Sequence, residues 1–335
     1  MKKIKTVMIG TGHDHAPATF DCLISLSEYF DFVGCVFIDD GFKAHQNLKH
    51  PYFNGVKFIS MEDAFAIPDL ECAVIETDDN NLTKYARIAL ERGLAVQMDK
   101  PGGQNHEEFI ETLNYAKEKG LVFHTGYMYR YNPAVKKAIQ TVKEGVIGDI
   151  YSIEAQMSCY LPEFKREWLK NFEGGMINFL GCHLIDVIFA LKGAPTSVLP
   201  LSISSNKERF GKDVGLAVLN YDNCVATVKS NCMEMGGPMR RKIVIVGEKG
   251  SIEINPTEYP KEGSGKCLYS DMRLVTLENN AWHCRPEPEV FGPFDRYQDM
   301  FIELYKIIKG EMENPYSVEY EIAVHEVLME ACGLK

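Results

Sequence analysis

The chain has 335 residues, 45% of them hydrophobic and 25% charged, which is too long for one ordinary core and predicts two domains of a globular protein. A net charge of −11 argues against a nucleic-acid surface, where phosphate repulsion would have to be overcome. No apolar run approaches the roughly 20 residues that span a bilayer, the segment after Lys2 and Lys3 is too short for a signal peptide, and the ten cysteines include no Cys-x-x-Cys pair, so a cytoplasmic protein with reduced thiols is expected.

Residues 4–9 form a short apolar run that passes directly into Gly10-Thr11-Gly12. A first parallel strand feeds a dinucleotide-binding helix in this way: the first glycine allows the tight turn and the second lets the backbone approach a pyrophosphate. His15 stands where the third glycine of the usual fingerprint would be. Apolar residues at 16, 20, 23 and 24 then follow one helical face, with Pro17 in the first turn. Further strands are predicted at 32–38, 56–59, 72–75, 94–98 and 121–123. Between them lie helices from near Ser60, over 81–92 and over 107–119, the last two stopped by Gly93 and Gly120. Strands that are apolar throughout, separated by amphipathic helices, predict a doubly wound parallel sheet covered on both faces.

Past Asp149 the texture changes to an alternation of apolar and polar residues over 151–157. More strands are expected at 214–221, 225–230, 243–246 and 251–254, the last two joined through Gly247-Glu248-Lys249-Gly250. A helix over 175–191 interrupts this sheet, and helices over 295–309 and 318–332 close the chain. The prediction is an N-terminal Rossmann domain over 1–126 and a C-terminal α+β domain over 127–335 with a large, mostly antiparallel open sheet, its final helices free to pack back on the first domain.

Asp39 and Asp40 end the second strand, where a carboxylate would accept hydrogen bonds from an adenosine ribose; with no arginine next to them, NAD is favoured over NADP. Asp99-Lys100-Pro101-Gly102-Gly103 follows the fifth strand, at the carboxyl edge where open α/β sheets bind ligands. His183 and Asp186 are three apart on the helix of the second domain, so the carboxylate can orient the imidazole. Gly181 in that helix costs about 1 kcal/mol relative to alanine, which is tolerated where something must approach closely. His13 and His15 invite a metal reading, but no third ligand is evident and no metal is expected.

Gly10-Thr11-Gly12, Asp99-Lys100-Pro101, Arg130-Tyr131-Asn132-Pro133 and Gly181-Cys182-His183-Leu184-Ile185-Asp186, in this order and spacing, resemble the glucose–fructose oxidoreductase and inositol dehydrogenase (Gfo/Idh/MocA) family. The resemblance covers nearly the whole chain. It implies hydride transfer between nicotinamide and a sugar, inositol or related polyol, a Lys100–Pro101 peptide able to be cis, and homodimers or homotetramers through the C-terminal sheet. On this reading Gly10, Thr11, Gly12, His13, His15, Asp39, Thr77, Lys100 and Pro101 contact the cofactor. Lys100, His183 and Asp186 carry the chemistry, and Tyr127, Arg130, Trp168, Asn178 and Phe179 line the substrate. Phe179 departs from the family pattern, which often has an aspartate four residues before the helix histidine, and Leu82 replaces a frequent histidine. The expected function is an NAD(P)-dependent oxidoreductase acting on a secondary alcohol or ketone. An NAD-dependent glycosidase and a non-catalytic dinucleotide-binding sensor are the alternatives, and neither nucleic acid nor membrane is an expected partner.

Overall fold

The computed structural model describes residues 2–280 and 285–335, which fall into two compact units: Met1–Tyr127 with Tyr297–His325, and Met128–Arg296 with Glu326–Lys335. In the first unit, six strands lie in the order β3-β2-β1-β4-β5-β6, all parallel. They are β1 (Ile4–Ile9), β2 (Phe30–Val36), β3 (Phe58–Ile59), β4 (Cys72–Ile75), β5 (Ala95–Met98) and β6 (Phe123–Thr125). Every residue of β4 and β5 is buried, as a sheet with helices on both faces requires. The helices are α1 (Ala16–Ser25), α2 (Phe42–Asn47), α3 (Met61–Phe65), α4 (Leu82–Glu91) and α5 (His106–Lys119). Ser60 caps α3 and Asn105 caps α5 by accepting from the amides of Asp63 and Glu108, while Gly120 ends α5 in the left-handed region.

The second unit carries a nine-stranded sheet: β7 (Ile150–Gln156), β8 (Ser197–Pro200), β9 (Val214–Tyr221), β10 (Cys224–Asn231), β11 (Lys242–Gly247), β12 (Gly250–Ile254), β13 (Tyr259–Pro260), β14 (Leu268–Thr276) and β15 (Glu289–Phe294). Their order is β13-β14-β12-β11-β7-β10-β9-β8, with β15 on β14, and only β7 and β10 pair in parallel. One face buries Ile153, Ala155, Ala217, Ala226, Ile245 and Ile252 beneath α6 (Pro133–Lys143) and α8 (Cys182–Lys192). The remaining helices are α7 (Glu163–Trp168), α9 (Gln298–Ile308) and α10 (Val318–Cys332).

The helix expected over 175–191 is present, but one turn of it takes another form. Gly175, its first residue, sits at φ +53°, packed where a Cβ would meet the Lys212 backbone. Ile177–Gly181 then make a wide π-helical turn before α8 begins at Cys182. Strand β6 starts two residues later than expected, because it is Phe123 to Thr125 that pair with Val96 to Met98.

Candidate active-site residues

In the first unit the glycine turn stands at the carboxyl end of β1, beside the end of β4. Gly10 has φ +90°, and a Cβ there would stand 2.6 Å from Thr77 Cγ2 and 2.7 Å from the Thr77 nitrogen, so only glycine permits this approach. At Gly12 a Cβ would meet the Asp40 carboxylate and lie 2.6 Å from the Asp78 nitrogen. Asn47 braces the turn: its Nδ2 donates to the carbonyls of Thr11 and His13, both at 2.7 Å. The Thr11 hydroxyl donates to the Ala44 carbonyl at 3.3 Å, so that side chain faces α2. Asp39 points outward with its side chain 69% exposed and pairs with His45 Nε2 at 2.8 Å. Asp40, which accepts from the Asp78 amide at 2.5 Å, is the aspartate turned toward the glycines.

Beyond the turn lies a buried charged cluster. His13 Nδ1 is 3.1 Å from Asp99 Oδ2 and 3.6 Å from Glu76 Oε2, and His13 Nε2 is 3.7 Å from Asp79 Oδ1. His15 Nδ1 is 3.0 Å from the same Asp99 oxygen. Burial alone would lower the His13 pKa, but the carboxylates of Asp99 and Asp79 outweigh it and raise the value to about 10. Burial wins at His15, which falls to about 4. Asp99 is held well below the carboxylate range because His13 and His15 overcome its burial, whereas burial and the neighbouring Asp99 push Glu76 well above it.

Lys100 is fully buried, its amide donates to Asp99 Oδ1 at 2.7 Å, and the Lys100–Pro101 peptide is cis. Gly102 and Gly103 follow at φ +104° and +82°, and the Thr83 hydroxyl donates to the Gly102 carbonyl. His325 Nε2 lies 3.1 Å from the Gly103 carbonyl and His325 Nδ1 lies 2.8 Å from His106 Nδ1, fastening this loop within the unit. Tyr127 is buried two residues past the end of β6.

These residues fit a dinucleotide. The glycine turn, inward Asp40, Thr77 and the buried Lys100 all stand at the carboxyl ends of parallel strands, where the strand order reverses beside β1.

In the second unit the expected pairing of His183 with Asp186 is replaced. The Asp186 carboxylate is gripped by Arg130, with Nε 3.0 and 3.1 Å from its two oxygens and Nη2 2.7 Å from Oδ1. A bidentate guanidinium outcompetes an imidazole for a buried carboxylate because it is always charged and its fork matches both oxygens. His183 is buried and faces the ring of Tyr129 at 5.5 Å between centroids. Asn178 is fully buried, with neither side-chain polar atom in a hydrogen bond. Trp168 packs edge-on against Phe172 at 4.6 Å and Phe179 at 5.5 Å, so its indole and Phe179 belong to one aromatic group. Glu258 lies buried between Arg241 and Arg296, accepting from Arg241 Nη1 at 2.7 Å and from Arg296 Nε and Nη2 at 2.8 and 2.7 Å.

Sequence reasoning passed over Asn47, Asp99 as a ligand-type group, Tyr129 and Glu258. Of these, Asp99 and Tyr129 adjoin motifs that were read, while Asn47 sits at the end of a six-residue helix and carries no local signal.

A six-stranded parallel sheet with this turn and lysine loop, followed by a nine-stranded open sheet, defines the class of two-unit dinucleotide-fold proteins. Residues 135–253 match the family described as the GFO/IDH/MocA C-terminal domain. The chain is 27% identical over 203 residues to the uncharacterized oxidoreductase YhhX of Escherichia coli, a stretch covering 60% of this chain and 58% of that protein. It is 24% identical over 245 residues to D-xylose 1-dehydrogenase (NADP(+)) 2 of Haloferax volcanii, covering 71% and 70%. Among solved structures, the crystal structure of YhhX superposes with a TM-score of 0.75 at 20% identity over 98% of this chain and 96% of that one. The WlbA dehydrogenase of Bordetella pertussis, solved with NADH and UDP-GlcNAcA, superposes with a TM-score of 0.75 at 15% identity over 99% and 96%. Residues 135–253 thus carry a GFO/IDH/MocA C-terminal domain, and the chain is similar to oxidoreductases over much of its length.

Proposed function

We propose that the protein is an NAD(P)-dependent oxidoreductase that transfers a hydride between nicotinamide and a secondary alcohol or ketone of a sugar, cyclitol or derivative. The observation that carries this reading is a fully buried lysine at the carboxyl edge of a Rossmann sheet, two strands from the glycine turn. The names of relatives support it, one being a xylose dehydrogenase and another a structure holding NADH with a nucleotide sugar. Bound nicotinamide would accept or supply the hydride. Lys100 would donate a hydrogen bond to the substrate oxygen and stabilise the charge that develops there. His183 is the second unit's candidate for moving the hydroxyl proton, with Asp186 reassigned to holding Arg130 in place. Asn178, with both amide groups uncommitted to hydrogen bonds, is the strongest of the proposed substrate contacts.

The open face of the second sheet supports assembly with a second copy. Leu199 pairs with Val218 and Asn220 with Val225, and Leu199 and Val225 are 50% and 48% exposed, so apolar side chains share the face opposite the helices.

The test is Lys100→Met and His183→Ala, assayed separately over a panel of sugars and cyclitols by nicotinamide absorbance. Each is expected to lower turnover by about 10²–10⁴-fold while dinucleotide binding, read by calorimetry, persists. Near-normal turnover in both variants, or no dinucleotide uptake by the wild type, overturns the reading.

A further inference from the structure

His13 and His15 lack a third ligand in their own motif, and the fold supplies one from 84 residues away. Asp99 directly follows β5, beside the glycine turn, and one ligand atom from each of His13, His15 and Asp99 lies within 4.8 Å of the others. The two imidazole nitrogens stand 3.1 and 3.0 Å from a single Asp99 oxygen. Donors bound to one ion at about 2.1 Å in tetrahedral or octahedral arrangement are themselves about 3.0–3.4 Å apart, so the two imidazole–carboxylate spacings need little adjustment. The Lys100 amide holds the other Asp99 oxygen at 2.7 Å, as outer partners orient a ligating carboxylate.

A second observation points to a cation. Glu76 is fully buried and Asp79 is 1% exposed, and none of their four carboxylate oxygens is in a well-formed hydrogen bond. Both aim at His13, at 3.6 and 3.7 Å. Buried carboxylates without hydrogen bonds demand countercharge.

We propose that His13, His15 and Asp99 bind one divalent first-row transition-metal ion, with Glu76 and Asp79 as flanking carboxylates that add to its attraction. Two imidazoles and one carboxylate suit zinc, manganese, iron, cobalt or nickel rather than calcium or magnesium. The His15 amide now donates to His13 Nδ1 at 3.2 Å, and the ion would take over that lone pair. The proposal stands apart from the oxidoreductase reading, because dinucleotide uptake by the metal-stripped chain is measured independently.

The experiment strips the full chain, prepared without a histidine tag, with a chelator and titrates it with Co²⁺. Visible d–d bands saturating at one equivalent are expected. His15→Gln and Asp99→Asn should weaken this binding by at least about tenfold, whereas His50→Gln, an exposed histidine elsewhere, should leave it unchanged. Absence of the bands, or undiminished binding in folded His15→Gln, overturns the proposal. Should both ligand variants fail to fold by circular dichroism, electron paramagnetic resonance of the Cu²⁺-loaded wild type decides: coupling to two imidazole nitrogens supports the site, and its absence overturns it.

Discussion

Asp186→Asn should cost the second unit far more than a typical polar substitution. The wild-type carboxylate receives three N–H contacts of 2.7 to 3.1 Å from Arg130, and the two side chains are 1% and 2% exposed. A charge pair about 4 Å apart at an effective dielectric constant near 20 is worth roughly 4 kcal/mol. Removing one partner also strands a guanidinium in the interior, so a loss of about 3–5 kcal/mol is expected. With a urea slope of about 2.5 kcal/mol per molar, the midpoint should fall by roughly 1–2 M. The decisive arm is the double variant Arg130→Met with Asp186→Leu, which removes both charges and keeps similar volume. It should recover most of the loss, since a buried pair replaced by apolar side chains is commonly near neutral. Urea denaturation followed by far-ultraviolet circular dichroism reads all three proteins. A single-variant cost below about 1 kcal/mol, or a double variant no more stable than Asp186→Asn, would show that the pair is not what holds Asp186.

Two more outcomes follow from the same kind of reasoning. Burial would raise the Glu258 pKa, but Arg296 and Arg241 outweigh it and hold it below 4.5, so the stability it contributes is present above pH 4.5 and vanishes as pH falls through the folded value. Glu258→Gln should therefore melt earlier than wild type at pH 7, with the gap closing below about pH 4.5 on a thermal melting series; a gap independent of pH would refute this. Gly10→Ala forces a Cβ to 2.6 Å from Thr77 at φ +90°, adding about 1–3 kcal/mol of backbone strain before any clash. A drop of at least about 3 °C in melting temperature and weakened dinucleotide binding are expected, and an unchanged melt would sink the argument.

The first unit was legible because a parallel sheet buried on both faces writes its strands as unbroken apolar runs, as in Cys72-Ala73-Val74-Ile75, with glycines closing the helices. Edge strands of the second sheet leave no such trace. Strand β8 is exposed at three of its four positions, and β15 contains Gly292-Pro293, which reads as a turn. The candidate site was legible wherever chemistry sits within one motif, as at Gly10-Thr11-Gly12 and Lys100-Pro101. It was misread where a partner arrives from afar: helical spacing offered Asp186 to His183, but Arg130, 56 residues earlier, takes the carboxylate. Asp99 was read only as the first residue of the lysine motif, and only the parallel register of β1, β4 and β5 sets it against His13 and His15.

The same register poses an electrostatic problem at the glycine turn. Asp40, Glu76, Asp78, Asp79 and Asp99 gather around the place where a Rossmann sheet receives an anionic pyrophosphate. Asp14 is neutralised locally by Lys43, and burial followed by the nearby Asp79 raises Asp78 to about 6. Protons can relieve part of the repulsion, and the upward displacement of Glu76 and His13 is that relief. A proton on His13, however, supplies one positive charge to three carboxylates within 3.7 Å of its ring. A divalent ion on His13, His15 and Asp99 supplies two and also spares Glu76 its proton. The acidic floor would then be compatible with a dinucleotide above it, so metal-stripped protein should bind NAD(P) more weakly than loaded protein.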